Sequence, residues 1–149
     1  MNDTLTVEAQ LNLPGIPEAP KPNPVAGVRL WYMATPYTEY PLGKEAAFRM
    51  AARNAAILMD REVPIFCPIT HTHPIEAWGG LKDKSHSFWM RMDRALFEAC
   101  GGLIVVTAEG WLTSVGVQME ISWAEISKRP VVYMKDGEMP EVLDLYRGD

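Results

Sequence analysis

From residue 28 onward, short apolar runs alternate with longer stretches in which apolar residues recur at helical spacing. Residues 28–34 (VRLWYMA) are apolar and β-prone and stop at Thr35-Pro36, which predicts a buried strand. Residues 44–61 are Ala-rich and place Ala47, Met50, Ala51, Asn54, Ile57 and Leu58 on one helical face. Residues 63–67 (VPIFC) predict a second strand, with Pro64 at its start. Residues 68–83 mix Pro, Gly, His and Trp without a period and predict a long loop. Residues 87–100 predict a helix with Phe88, Met92, Ala95, Leu96 and Ala99 on its buried face, stopped by Gly101-Gly102. Residues 103–107 (LIVVT) are apolar on both faces, as a central strand of a parallel sheet requires. A helix over 114–128, closed by Arg129-Pro130, a strand over 131–134 and a short helix over 140–146 complete the pattern.

Strands alternating with helices predict a single α/β domain. The expected form is a three-layer, Rossmann-like or flavodoxin-like fold with a parallel sheet of four to five strands and right-handed crossovers. Ligands of such sheets bind beyond the C-terminal strand ends. Residues 35–40, 68–78 and 108–114 are therefore expected to meet at one site. Residues 1–27 stand apart, because 14–24 (PGIPEAPKPNP) hold five prolines in eleven residues and favour extended conformations over a helix or central strand. They are read as an arm or tail preceding a domain over 28–149.

The 149 residues suit one domain, and 14 basic against 19 acidic side chains give a net charge of −5. That balance argues against a nucleic-acid polymer as partner, since phosphate-backbone binding needs a basic surface. A single nucleotide remains compatible, because a helix N-terminus can hold one phosphate without a basic patch. Cys67 and Cys100 sit in apolar contexts without CxxC spacing and read as small buried hydrophobes in a reducing environment. No apolar run reaches the roughly 18 residues of a membrane span, and residues 1–10 do not resemble a secretory leader. A cytoplasmic protein is expected. GxSxG, GxxxxGK[ST] and GxGxxG are all missing, so serine hydrolase, P-loop and dinucleotide-binding chemistry lack support.

Three segments carry candidate chemistry. In residues 110–120 (GWLTSVGVQME), Ser114 can cap a helix N-terminus, Gly116 lets a ligand approach its first turn, and Glu120 follows about 9 Å along the axis. A phosphate held at the helix tip and a carboxylate roughly one sugar's width away would then fit one ligand; the plain alternative is a capped helix with Glu120 in solvent. Asp93 lies one turn after Trp89 and reads either as an acid/base of altered pKa or as a surface residue between Arg91 and Arg94. Residues 32–40 (YMATPYTEY) gather Tyr32, Tyr37 and Tyr40 with Thr35 at a strand end, offering hydroxyls and flat faces for a sugar or base. His71 and His73 form an H-x-H that could bind zinc only if both imidazoles face one way, and no third ligand stands at a recognisable spacing. His71 is kept as a ligand-contacting candidate. Trp78 and Trp111 could stack on a base or pack in loops.

Together these motifs resemble the nucleoside 2-deoxyribosyltransferase-like superfamily, which includes the 2′-deoxynucleoside 5′-monophosphate N-glycosidases. The likeness spans about residues 28–134. It rests on a YxAxPY-type turn (Tyr32, Ala34, Pro36, Tyr37), an Asp-x-x-Leu helix (Asp93, Leu96) before the 103–106 strand, and a Ser-x-Gly-x-x-x-Glu helix start (Ser114, Gly116, Glu120) with Ala124 beyond. The chain departs from the pattern in three places. Gly101-Gly102 stands where an aspartate is common, Thr35 where glycine is frequent, and the loop 108–113 is long.

The resemblance implies roles. Glu120 would be the nucleophile, Asp93 the proton donor or acceptor for the base, and Tyr32 or Tyr37 the group that orients sugar or glutamate. Ser114 would hold a 5′-phosphate where the transferase branch has an aspartate. Ala34, Pro36, Tyr37, His71, Trp111, Ser114 and Gly116 are the expected substrate contacts. The implied activity is cleavage of the base–sugar bond of a nucleotide, without metal or organic cofactor. A nucleotide-binding module without catalysis, a deoxyribosyltransferase and an NAD glycohydrolase are the alternatives. A homodimer or higher homo-oligomer is the implied assembly.

Overall fold

The computed structural model describes Gly15 and residues 25–144. Its strands are β1 (Trp31–Ala34), β2 (Ile65–Phe66), β3 (Gly102–Val106) and β4 (Val131–Met134). Its helices are α1 (Lys44–Met59), α2 (Pro68–Trp78), α3 (His86–Glu98), α4 (Val115–Ile126) and α5 (Glu141–Asp144). The sheet order is β2-β1-β3-β4, and every pairing is parallel. Trp31 pairs with both Ile65 and Gly102, so β1 is interior and the chain reverses its direction of travel between β1 and β3. That reversal opens a crevice at the strand ends, the usual ligand position in doubly wound sheets.

Strict side-chain alternation builds the two layers. Trp31 and Met33 of β1 join Ile104, Val106, Val132 and Met134 against Met50, Ala51 and Leu58 of α1, with Leu143 of α5. Tyr32 and Ala34 point the other way and join Leu103 and Val105 against Phe97 of α3 and Val117, Ile121 and Ala124 of α4. All four β1 residues and Leu103–Val106 are wholly buried, as expected of a sheet covered on both faces. Cys67 and Cys100 are free and buried within these layers.

Gly102 explains one departure from the family pattern. A Cβ at that position would sit 2.5 Å from the Trp31 indole, so the bulky β1 residue requires glycine beside it on β3. Asn54 of α1, fully buried, donates to Met50 O and Asp136 Oδ1 and accepts from the Gly137 amide. It ties the loop after β4 to α1.

Two expectations need correction. The predicted loop over 68–83 contains an eleven-residue helix, α2. Pro68 occupies the first turn, where its missing N–H costs nothing, and Pro74 is accommodated within the helix. The predicted buried face of α3 is largely exposed. Met92, Ala95 and Ala99 face outward, while Asp93 and Phe97 are the buried residues of that helix. Of residues 1–27, only Gly15 and 25–27 are described; Val25 packs in the core layer with α1, and the arm expected over the rest lies outside the described residues. Among the described residues, no helix is long and apolar enough to cross a membrane.

Candidate active site

The loop after β3 delivers α4 to the crevice. Gly110 has a positive φ of 92° and packs so closely on the Glu39 carbonyl that any side chain there would overlap it. The loops after β1 and β3 are thereby held together. Ser114, buried, then caps α4, its hydroxyl accepting from the Val117 amide at 3.3 Å. Six residues on, Glu120 is only 5% exposed. A Cβ on Gly116 would lie 3.9 Å from Glu120 Oε1 and 4.0 Å from Ser114 Oγ, so the bare helix turn sits between cap and carboxyl.

Asp93 reaches the same crevice from α3 and is 8% exposed. Its surface alternative is set aside, since Arg94 pairs instead with Glu98 at 2.8 Å. Beneath both lies Tyr32 of β1, fully buried. Among the described residues, Tyr32 Oη, Asp93 Oδ1 and Glu120 Oε2 are buried without a hydrogen bond of full geometry, although the phenol stands near enough to Glu120 to favour its ionised form. Burial pushes Glu120 up to about 8, and the charge of Asp93 adds to the rise. Burial alone pushes Asp93 up to about 6. Tyr32 is driven well above the ordinary phenol range, first by burial and then by Glu120 and Asp93, so it stays protonated. Two carboxyls with raised and unequal proton affinities in one cleft form a candidate acid/base pair.

The cleft has a volume of about 200 Å³. Glu120, Asp93, Ser114, Gly116 and Tyr37 all line it. Thr35 and Thr38 contribute from the turn after β1, Ile69 and Thr72 from α2, and Trp89 and Met90 from α3. Lys44, Glu76 and Lys84 add charge to its lining and His86 an imidazole, with Lys44 Nζ paired to Glu76 at 2.8 Å. Sequence reasoning missed Lys44, Thr72 and Glu76 as site residues. Once residues 68–78 are seen as a helix, Ile69, Thr72 and Glu76 fall on one face by their spacing.

Other candidates lie elsewhere. Ala34 and Pro36 are buried below the lining and shape the turn. His71 is exposed on α2, edge-on to Phe66 at 5.6 Å. His73, two residues on along the same helix, is buried and bound to Tyr37, so the H-x-H histidines do not face one way. Trp111 packs on Tyr133 with ring centroids 5.8 Å apart. Trp78 is 77% exposed. None of His71, Trp111 and Trp78 lines the cleft.

A family model described as a domain of unknown function, DUF1937, matches residues 29–136. The chain belongs to that family. No curated protein matches it. Among solved structures, a 2-deoxyribosyltransferase from the psychrotolerant bacterium Bacillus psychrosaccharolyticus is similar at a TM-score of 0.52. The two are 16% identical, and the similarity covers 80% of this chain and 86% of that one. The α/β architecture is thus shared with that 2-deoxyribosyltransferase, the fold that the motif resemblance implied.

Proposed function

We propose that the protein is an N-glycosidase that cleaves the base–sugar bond of a (deoxy)nucleoside 5′-monophosphate. The observation that carries this reading is the convergence of two buried carboxyls, from α3 and α4, on a cleft that also takes in the Ser114-capped tip of α4. In the first step the Glu120 carboxylate attacks C1′ as the C1′–N bond breaks, and Asp93 gives its proton to the departing base. Water, deprotonated by Asp93, then displaces the sugar phosphate from Glu120, by analogy with retaining glycosidases. Ser114 and the first-turn amides of α4 hold the 5′-phosphate, and the helix dipole favours that charge.

Proton placement decides whether the pair can work. Between about pH 6 and about pH 8 the two carboxyls together retain one proton. The reaction needs it on Asp93, with the charge on Glu120. Burial in the free protein favours the reverse, whereas positive charge developing at C1′ draws the negative charge to Glu120. The nearby Tyr32 phenol acts in the same direction.

The test is mass-spectrometric detection of free base from a panel of ribo- and deoxyribonucleoside monophosphates and NAD. Release from a monophosphate is expected, and its loss in Glu120→Ala. Undiminished release by that variant would remove Glu120 from the reaction. The fold shared with a 2-deoxyribosyltransferase supports a second reading, transfer of the sugar to another base. A free second base added to the assay separates the two: an exchanged nucleotide means transfer, sugar phosphate means hydrolysis.

A further inference from the structure

The cleft wall formed by Tyr37 is fixed by a residue outside the cleft lining. Tyr37 Oη lies 2.6 Å from Nδ1 of His73, which is 8% exposed on α2. The imidazole is boxed in, stacked on Phe48 of α1 at 4.6 Å and edge-on to Trp78 at 6.2 Å. The Tyr37 ring is itself capped by Lys44 Nζ, 5.2 Å from its centroid, and Lys44 is held by Glu76. Two helices, α1 and α2, therefore cooperate to hold one phenol.

The short contact admits two proton arrangements: the phenol donates to a bare Nδ1, or Nδ1–H donates to the phenolic oxygen. Burial, with a contribution from Glu76, pushes Tyr37 up to about 12, so the phenol keeps its hydrogen. A phenol is a stronger donor than a neutral imidazole N–H, and a short O–H···N bond is the better use of a 2.6 Å separation. The imidazole then carries its single hydrogen on Nε2.

We propose that His73 is a positioning residue that takes up the Tyr37 hydroxyl hydrogen, so that the Tyr37 oxygen offers the ligand lone pairs only and selects a hydrogen-bond donor. The donor is a sugar hydroxyl or an N–H of the base. The identity of the ligand rests on the proposed function; the proton arrangement does not. A site built to bond one such group rejects an analogue lacking it more strongly than apolar contact can.

Long-range ¹H–¹⁵N correlation on the ligand-free protein at neutral pH reads the tautomer, and so decides the proton arrangement even if no nucleotide is turned over. The Nε2–H form of His73 is expected; the Nδ1–H form, or a doubly protonated ring, would overturn the proposal. Calorimetric binding of nucleoside monophosphates then identifies the donor. Ribo- against deoxyribo- and 3′-deoxy sugars form one arm, and bases with and without an exocyclic amine the other. Tyr37→Phe is expected to weaken binding about tenfold for ligands carrying the donor and to leave the others unchanged, raising KM with little change in kcat. His73→Phe keeps the ring stack but loses the acceptor, and should erase the same discrimination. His73→Asn, which restores an acceptor oxygen near the Nδ1 position, should recover it. An equal loss of affinity for every ligand in Tyr37→Phe, with melting unchanged, would overturn the selection.

Discussion

Asp93 of α3 raises the proton affinity of Glu120 on α4 across the cleft. Burial lifts the two carboxyls to different heights, about 6 and about 8. The proposed reaction needs one of them ionised and the other protonated. Below about pH 6 both hold protons and no carboxylate is present to attack C1′. Above about pH 8 both are charged and no acid remains for the base. Base release is therefore expected to follow a bell in kcat/KM with limbs near those two values. A profile that stays flat across that whole interval and beyond would separate the pair from the chemistry.

The same burial makes Glu120 a cost to the fold. Its folded proton affinity stands above the ordinary 4.5. The folded state therefore suffers no penalty below that value and loses stability progressively as pH rises toward about 8. Glu120→Gln removes the ionisation. The variant is expected to match the parent at acid pH and to exceed it by about 1–3 kcal/mol near pH 8. Chemical denaturation at several pH values measures this. A gap that does not change with pH would mean that the carboxyl is solvated.

Gly116 offers a substitution whose effects on fold and ligand diverge. An added methyl would meet Met90 at 3.8 Å and Glu120 Oε1 at 3.9 Å, which are ordinary contacts. Inside α4, alanine is favoured over glycine by about 0.5–1 kcal/mol. Gly116→Ala should thus raise the melting temperature by a few degrees while weakening nucleotide binding several-fold, because the methyl occupies space between Ser114 and Glu120. Thermal melts and titration calorimetry on one preparation read both effects.

Gly102→Ala should do the opposite, damaging the fold without touching the cleft. Its methyl would overlap the wholly buried Trp31 indole in the sheet interior. Relief requires moving β1 or turning the indole within a packed layer, at about 2–4 kcal/mol. The companion change Trp31→Leu frees that space, so the double variant should recover part of the loss, a coupling that a denaturation cycle measures.

The motifs on strand ends and helix starts were legible in the sequence, because each depends on a few local residues. Ser114, Gly116 and Glu120 fall where the spacing of one helix puts them, and the apolar runs at β3 and β4 leave little choice of conformation. The parts that needed the tertiary structure are those where local signals compete. Residues 68–78 carry two prolines and no apolar period, yet fold as a helix in which Thr70 and Thr72 donate to the Cys67 and Pro68 carbonyls. In α3, Phe88, Met92, Ala95, Leu96 and Ala99 mimic a buried stripe, but the helix turns Asp93 and Phe97 inward. The row Trp89–Asp93–Phe97, spaced four residues apart, also ran through that sequence. An acidic residue in its middle hid it from a search for apolar faces. The Tyr37–His73 bond spans 36 positions, a distance over which no local pattern can pair two residues.

The interior position of β1 has a consequence for how the chain comes together. Its Trp31–Ala34 backbone must pair with Gly102–Val105, about seventy positions later, so the first half of the polypeptide emerges from the ribosome with one edge of β1 and the Tyr32 face awaiting later residues, even though α1 can cover Trp31 and Met33. Closing so wide a loop is slow compared with forming a hairpin or a helix pair. The two cleft carboxyls, Asp93 and Glu120, both encoded beyond residue 90, meet Tyr32 only at the end of that process.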